Sequence, residues 1–169
     1  SPSAPDDLAP AGNRDAKWFG NLANTFQYKK LQVFVNLQFN KKIGFNYLGQ
    51  VSRSYYPGFT SLNQPVALLA RWTKPGDQTG IQKFTTRNNA PLSAFAFSSG
   101  AYTDASYVRL KTVSVSYAVL SPTTKKPSGI SLRVFVNAQN LAIITGYKGN
   151  DPETMMFYGV PPLKTLVTG

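Results

Sequence analysis

The clearest pattern in the chain is the strict alternation of apolar and polar residues between positions 130 and 139. Five apolar residues share one face of an extended chain: Ile130, Leu132, Val134, Val136 and Ala138. The opposite face carries Arg133, Asn137 and Gln139. Because side chains in a strand point to alternate faces, the segment predicts a strand with one apolar and one mostly polar face. The apolar face would pack on a second sheet in a soluble sandwich, or face lipid in a membrane barrel.

Three other segments alternate in the same way: residues 18–28, 31–40 and 106–119. A further strand begins at residues 163–169, but the pattern does not show which of its residues share the apolar face. Only Lys29 and Lys30 separate the first two segments, which predicts a tight hairpin. In the third segment, Arg109 and Lys111 fall in the apolar phase. Either a β-bulge shifts the phase there, or these two residues stand outside the bilayer.

The segments between the predicted strands differ in length. Residues 1–16 are rich in Pro, Ala, Asp and Gly and are predicted to be a linker, whereas about 41–105 and about 146–162 form long loops. The other two connections are short. Short turns alternating with long loops are typical of transmembrane barrels. Aromatic residues near strand ends suit the headgroup level of a membrane: Tyr28, Phe39, Tyr107, Tyr117 and Tyr147.

One short helix is predicted within the first long loop, from about Gln64 to Trp72. Asn63 would be its N-cap, and Pro65 suits its first turn. Its inner face would carry Val66, Leu69 and Ala70.

The composition of the chain excludes some kinds of functional site and favours others. The 169 residues suffice for one domain, and the absence of Cys and His removes thiolate metal sites and the commonest general base. The net charge of +11, from 18 Lys and Arg against 7 Asp and Glu, predicts an anionic partner or solvated loop charge. No apolar run approaches the roughly 20 residues of a transmembrane helix. The start SPSAPDD and the end LKTLVTG both suggest a piece of a larger protein.

Several blocks of residues also resemble a known family. They are Trp18-Phe19-Gly20, Ala70-Arg71-Trp72-Thr73 with Pro75-Gly76, residues 102–111 (YTDASYVRLK), residues 131–135 (SLRVF), and Gln139-Asn140-Leu141 followed by Tyr147, Gly149 and Asp151-Pro152-Glu153. In this order and spacing they resemble the C-terminal end of SusC/RagA-type TonB-dependent outer-membrane transporters of Bacteroidetes. The resemblance covers nearly all of the chain after residue 16.

The resemblance implies an all-β fold of antiparallel up-and-down strands. Residues 17–169 would supply about five C-terminal strands of a barrel of roughly 22 strands. It further implies a location in the cell outer membrane, in contact with lipid and lipopolysaccharide, and a SusD-like surface lipoprotein as partner. Oligosaccharides or peptides would be the imported substrates. TonB would act through an N-terminal region that this chain lacks, and neither a cofactor nor nucleic acid is expected.

No catalytic constellation is found, so the protein is predicted not to be an enzyme. Asp151 and Glu153 could together bind a cation, or simply shape a turn around Pro152. The candidate substrate- or partner-facing residues fall into two groups. The loop aromatics are Tyr55, Tyr56, Phe59, Trp72 and Tyr102, which could stack on sugars, pack on a protein partner, or pack the loop onto itself. The others are Arg133, Asn137 and Gln139, which would face the lumen and contact substrate, the plug or each other.

A soluble all-β module that binds an anionic ligand, such as single-stranded nucleic acid, is the alternative hypothesis. Its basic and aromatic residues would suit a groove that stacks bases. The basic residues do not cluster on one strand face, which favours the transporter interpretation.

Overall fold

A computed structural model describes residues 6, 8–10, 12–54, 58, 63–87, 90–121, 129–156 and 159–169, with the backbone alone described at 53–54 and 90–92. The chain divides into two compact units. We call residues 16–42, 106–146 and 160–169 the sheet unit, and residues 1–15, 43–105 and 147–159 the loop unit.

The described part of the chain contains seven strands and two α-helices. In chain order they are β1 (Trp18–Tyr28), β2 (Leu31–Lys41), β3 (Ile43–Phe45), α1 (Tyr47–Ser54), α2 (Ala90–Ala96), β4 (Tyr102–Asp104), β5 (Tyr107–Leu120), β6 (Leu132–Thr145) and β7 (Thr165–Thr168). Two 3-10 helices, Val66–Ala70 and Ser99–Ala101, lie on either side of α2 in the sequence. No helix in this described part is long and apolar enough to cross a membrane.

The sheet unit is a five-stranded sheet in the order β1-β2-β5-β6-β7, and every neighbouring pair is antiparallel. The predicted antiparallel up-and-down fold class is therefore confirmed. The hairpin between β1 and β2 is as tight as its sequence predicts: Tyr28 pairs with Leu31, and Lys29 takes the left-handed φ of 53°. The phase of the last strand is now defined, because Leu166 pairs with Ala138 on the apolar face.

A β-bulge resolves the position of the two basic residues in β5. Asn36 pairs with Thr112, but the next residue of β2, Leu37, pairs with Leu110. Lys111 is therefore the extra residue, and the phase of β5 changes there. Val108 and Leu110 join the apolar face, whereas Arg109 moves to the polar face opposite Gln38. The bulge is thus the correct one of the two predicted explanations.

The apolar face of the sheet keeps much of its surface exposed. Leu132 is 47%, Val134 46% and Val136 42% exposed, and Val33 and Val35 on β2 are half-buried. A sandwich core would reduce these fractions to a few per cent. Within the described residues of the sheet unit, no second layer covers this face.

The loop unit has a small core of its own. Its buried apolar residues include Val51 on α1, Ala96 on α2, and Ala101, Ala105 and Tyr147. Asn46 directly precedes α1. Its side-chain oxygen accepts a hydrogen bond from the Gly49 backbone amide at 2.8 Å, and its side-chain nitrogen donates to the Gly100 carbonyl at 2.8 Å. A Cβ at Gly49 would clash with the Ala101 carbonyl, so only glycine permits this close approach.

The helix predicted from Gln64 to Trp72 is shorter and faces differently. It is a 3-10 helix, Val66–Ala70, whose N-cap is Pro65 rather than Asn63. Val66 is 80% and Leu69 68% exposed, so the predicted inner face is wrong, and Leu68 at 1% is the buried residue. The reason is that a 3-10 helix has three residues per turn and does not follow the 3.6-residue period used in the prediction. Its hydrogen bonds run from the Leu68 amide to the Pro65 carbonyl at 2.9 Å and from the Arg71 amide to the Leu68 carbonyl at 3.2 Å.

Candidate functional site

The polar face of the sheet contains a cavity of about 340 Å³. Its lining brings together two predicted site residues, Arg133 and Asn137, with five residues of three strands: Gln32, Phe34, Ser114, Ser116 and Phe135. We call this the sheet cavity.

The strand register explains why a cavity forms there. On the central strand β5, Ser114 lies between Phe34 of β2 and Asn137 of β6. Ser116 likewise lies between Gln32 and Phe135. Because strands lie about 4.8 Å apart and their side chains stand perpendicular to the sheet, two short serines between longer side chains leave a trough. Small residues on β5 therefore create the space.

The sheet cavity combines aromatic surface with groups that donate and accept hydrogen bonds. Arg133 is its one charged lining residue, and its guanidinium presents a planar set of donors. Phe34 and Phe135 supply apolar ring faces. Such a mixture fits an extended polar chain, either a ligand or another protein segment. The third predicted residue of this face, Gln139, pairs with Thr112 and Thr165 and does not line the cavity.

The predicted loop aromatics lie in different surroundings. Tyr102 pairs with Phe45 across β3 and β4, and the two rings lie 4.8 Å apart, with the Arg14 guanidinium 4.2 Å from the Phe45 ring centre. Trp72 is half-buried and lines a second cavity, of about 470 Å³. Tyr55, Tyr56 and Phe59 lie outside the described residues.

A hydrogen-bonded cluster holds the second long loop inside the loop unit. The Tyr147 hydroxyl donates to the Phe45 carbonyl at 2.6 Å and accepts from the Gln50 side chain at 2.9 Å. Burial raises the pKa of Tyr147, and the charge of Asp151 raises it further. Tyr147 is only 8% exposed, so its predicted place among aromatics at the membrane surface is wrong. The ring is in the core because its hydroxyl has partners there.

The Asp151-Pro152-Glu153 block forms a turn. The Asp151 carboxylate is 4% exposed and accepts from the amides of Glu153 at 2.8 Å and Thr154 at 3.2 Å. An aspartate that satisfies its own following amides is a standard turn device. Among the described residues, no group of three or more His, Cys, Asp and Glu could hold a metal ion.

An open antiparallel sheet with an exposed apolar face and a polar, cavity-bearing face is the architecture of a membrane-barrel wall segment. Comparison with known proteins points to the same class. Over 130 residues, or 77% of this chain, it is 27% identical to the TonB-dependent receptor P3 of Formosa agariphila. The match spans only 12% of that receptor. No family model matches the chain.

Solved structures share the fold. The RagAB peptide importer in its closed-closed state matches with a TM-score of 0.60 and 24% identity, over 89% of this chain and 16% of the solved chain. Its open-open state matches with a TM-score of 0.55 over 80% of this chain and 14% of the solved one. The resemblance inferred from sequence motifs is therefore confirmed: the chain is similar in sequence to a segment of a TonB-dependent receptor, and it shares a fold with part of the RagAB importer.

The sequence prediction missed five residues that line the sheet cavity beside Arg133 and Asn137. These five residues occupy polar-face positions of their own strands, so alternation alone placed them on the correct face: Gln32, Phe34, Ser114, Ser116 and Phe135. The missing information was the register, which decides that these residues of β2 and β5 meet Phe135 and Asn137.

Proposed function

We propose that this chain is part of the barrel wall of an outer-membrane TonB-dependent transporter that imports oligosaccharides or peptides. The observation that carries the proposal is the pair of faces on the sheet: an uncovered aliphatic face and a polar face with the sheet cavity. The similarity to a TonB-dependent receptor and the fold shared with a peptide importer support it.

In this proposal residues 17–169 form the barrel segment, and the apolar face contacts hydrocarbon. Arg133, Asn137 and Gln139 face the lumen. A SusD-like lipoprotein acts as the surface partner, and TonB acts through a region of the full-length protein outside this chain. The named similar structures concern a peptide importer, which keeps peptides beside oligosaccharides as candidate substrates.

Two arginine substitutions on the apolar face test the membrane assignment in the full-length protein. Val35→Arg and Val136→Arg place a charge well inside strands that would cross the bilayer, which costs about 2–4 kcal/mol near its midplane. Gln139→Arg, on the polar face, is the matched control. We expect little folded protein in the outer membrane for the first two variants and normal levels for the control. Normal assembly of either apolar-face variant would refute the lipid contact.

Purification of the full-length protein from outer membranes tests the partner and substrate. We expect a SusD-like lipoprotein to copurify, and labelled oligosaccharides or peptides to enter cells only when both proteins are present. Uptake that is equal in a strain without the transporter would contradict the proposal.

The alternative, a soluble module for an anionic ligand, makes opposite predictions. It requires a protein that stays monodisperse without detergent and whose ligand affinity falls steeply with salt. The exposed row of aliphatic side chains on β6 disfavours it, because such a surface aggregates in water.

A further inference from the structure

The second cavity lies within the loop unit, between two arms of one loop. Its volume is about 470 Å³, and it is lined by Trp72, Thr79, Gly80, Ile81, Gln82 and Lys83. We call it the Trp72 cavity. Its size falls in the range of about 300–1,000 Å³ that is usual for small-ligand sites.

Hydrogen bonds between the two arms hold the cavity open. The Trp72 amide donates to the Ile81 carbonyl at 2.8 Å, and the Thr79 hydroxyl donates to the Ala70 carbonyl at 2.6 Å. The Thr79 hydroxyl also accepts from the Ile81 amide at 3.2 Å. These bonds fix the backbone on both sides of the indole, so the cavity wall is defined by main-chain geometry.

Glycine leaves one wall of the cavity bare. A Cβ at Gly80 would meet no atom within 4 Å, and this residue does not have the left-handed φ that only glycine adopts readily. The backbone at Gly80 is therefore accessible to a ligand. A larger side chain at this position would enter open space without straining the chain.

The segment that forms the Trp72 cavity carries more basic than acidic residues, and Lys83 is the one charged residue of the cavity lining. Residues 63–87 contain Arg71, Lys74, Lys83 and Arg87 but one acidic residue, Asp77. The Asp77 carboxylate accepts from the Thr73 hydroxyl at 2.7 Å and from the amides of Thr73 at 2.9 Å and Lys74 at 3.0 Å. The single negative charge is thus engaged in the loop's own turn, while Lys83 lies on the cavity wall.

We propose that the Trp72 cavity is a subsite for an acidic sugar unit, one that carries a carboxylate or a sulfate. The apolar face of the sugar ring would stack on the indole of Trp72. The anionic group would pair with Lys83, and ring hydroxyls would bond to the Gln82 amide and the exposed backbone at Gly80. One aromatic face surrounded by polar groups suits a sugar better than an apolar peptide side chain, which would leave those polar groups unpaired.

This inference rests on the proposed import of oligosaccharides, and its test uses the purified full-length protein in detergent. The probes are a tetragalacturonate, its methyl ester as the neutral counterpart, a sulfated carrageenan tetrasaccharide, and a tetraglutamate peptide. Calorimetric titration with the first and third probes distinguishes carboxylate from sulfate recognition.

Three variants test the individual residues of the site: Trp72→Ala, Lys83→Gln and Gly80→Leu. Lys74→Gln is the matched control, because Lys74 lies in the same loop but does not line the cavity.

We expect at least one acidic tetrasaccharide to bind more tightly than the neutral ester. Trp72→Ala should weaken it about tenfold, as does the loss of a central aromatic contact in many interfaces. Lys83→Gln should weaken it by up to about fivefold and reduce the preference over the ester, because exposed ion pairs contribute little. Gly80→Leu should weaken binding, because its side chain would cover the backbone that the ligand contacts, and Lys74→Gln should change affinity less than about twofold.

Three results would overturn the subsite: neither acidic tetrasaccharide binding more tightly than the neutral ester, unchanged affinity in Gly80→Leu, or tight binding of tetraglutamate in place of the sugars. The folded, membrane-inserted state of every variant is checked by its heat-dependent mobility on gels. A protein that assembles and imports another substrate, yet fails these titrations, loses the subsite but keeps the transporter proposal. A protein that does not insert at all contradicts the transporter proposal itself.

Discussion

The sheet unit and the loop unit of this chain are stabilised by different kinds of interaction. The sheet unit leaves a row of aliphatic side chains 42–47% exposed on β6 and has few fully buried side chains. The loop unit buries Val51 and Leu68 to 1% and Tyr147 to 8%. The first is held by a continuous ladder of backbone pairs, and the second by specific side-chain contacts.

This difference indicates which kind of substitution should destabilise each unit. A sheet that turns an apolar face to lipid depends on the polarity of that face more than on the shape of any one side chain. A small loop core depends on individual hydrogen bonds, because each buried polar group must keep its partner. The following predictions separate these two dependences.

The largest effect is expected from a charge on the apolar face. Val113→Arg, at a mid-strand position that pairs with Val35 and Ala138, should reduce the folded fraction of the full-length protein severely, because an arginine near the middle of the bilayer costs about 2–4 kcal/mol. Val66→Arg is the matched change in the loop unit, where Val66 is 80% exposed, and it should shift stability by less than about 0.5 kcal/mol. Heat-dependent gel mobility measures both. Similar losses in the two variants would remove the distinction between the units.

A smaller effect is expected from one hydrogen-bonding group in the loop unit. Tyr147→Phe removes the hydroxyl that donates to the Phe45 carbonyl at 2.6 Å and accepts from Gln50 at 2.9 Å. Loss of this partner for the Phe45 carbonyl and the Gln50 side chain should lower the local stability by about 1–3 kcal/mol. Hydrogen exchange of amides 43–52 measures it and should become faster. Tyr117→Phe, at a 46% exposed position on the sheet, is the control, and protection unchanged by Tyr147→Phe would contradict this account.

The smallest effect is expected at an exposed turn. Hydrogen bonds from the Thr73 hydroxyl and from the amides of Thr73 and Lys74 lower the pKa of Asp77. A lowered folded-state pKa means that the turn is most stable above the ordinary Asp value and weakens as pH falls through the folded-state pKa. The protection of the Thr73 and Lys74 amides, measured relative to the intrinsic exchange rate at each pH, should therefore fall in acid, below about pH 3.9. In Asp77→Asn this acid dependence should disappear, and its persistence would mean that another group controls the turn.

Sequence pattern predicted the sheet far better than the loops, for a physical reason. Alternation with period two marks the apolar face, and it gave the limits Trp18–Tyr28 of β1 correctly. It did not show that Lys111 is the extra residue of a bulge, because a bulge exchanges the two faces of the strand without a strong signal in the local sequence. In the loops a short 3-10 helix decides which residue is buried, and the α-helical period predicted the wrong face of Val66–Ala70.

The candidate site was predictable to the same extent. Arg133 and Asn137 were placed on the polar face by alternation, and they do line one cavity. The participation of Ser114 and Ser116 depends on register, which one strand's sequence does not contain. The cavity that Trp72 shares with residues 79–83 depends on bonds between two arms of a loop, for which no periodic signal exists.

Accessibility of neighbouring positions on β6 tests the central claim most directly. Val136→Cys and Asn137→Cys, each carrying a nitroxide label, would be compared in the full-length protein in lipid bilayers, with any cysteines outside this chain replaced. This chain itself contains no Cys. We predict that oxygen, which concentrates in hydrocarbon, relaxes the label at 136 more strongly, and that a water-soluble nickel chelate relaxes the label at 137 more strongly. The reverse order, or the same water accessibility at both positions, would contradict the assignment of the apolar face to lipid.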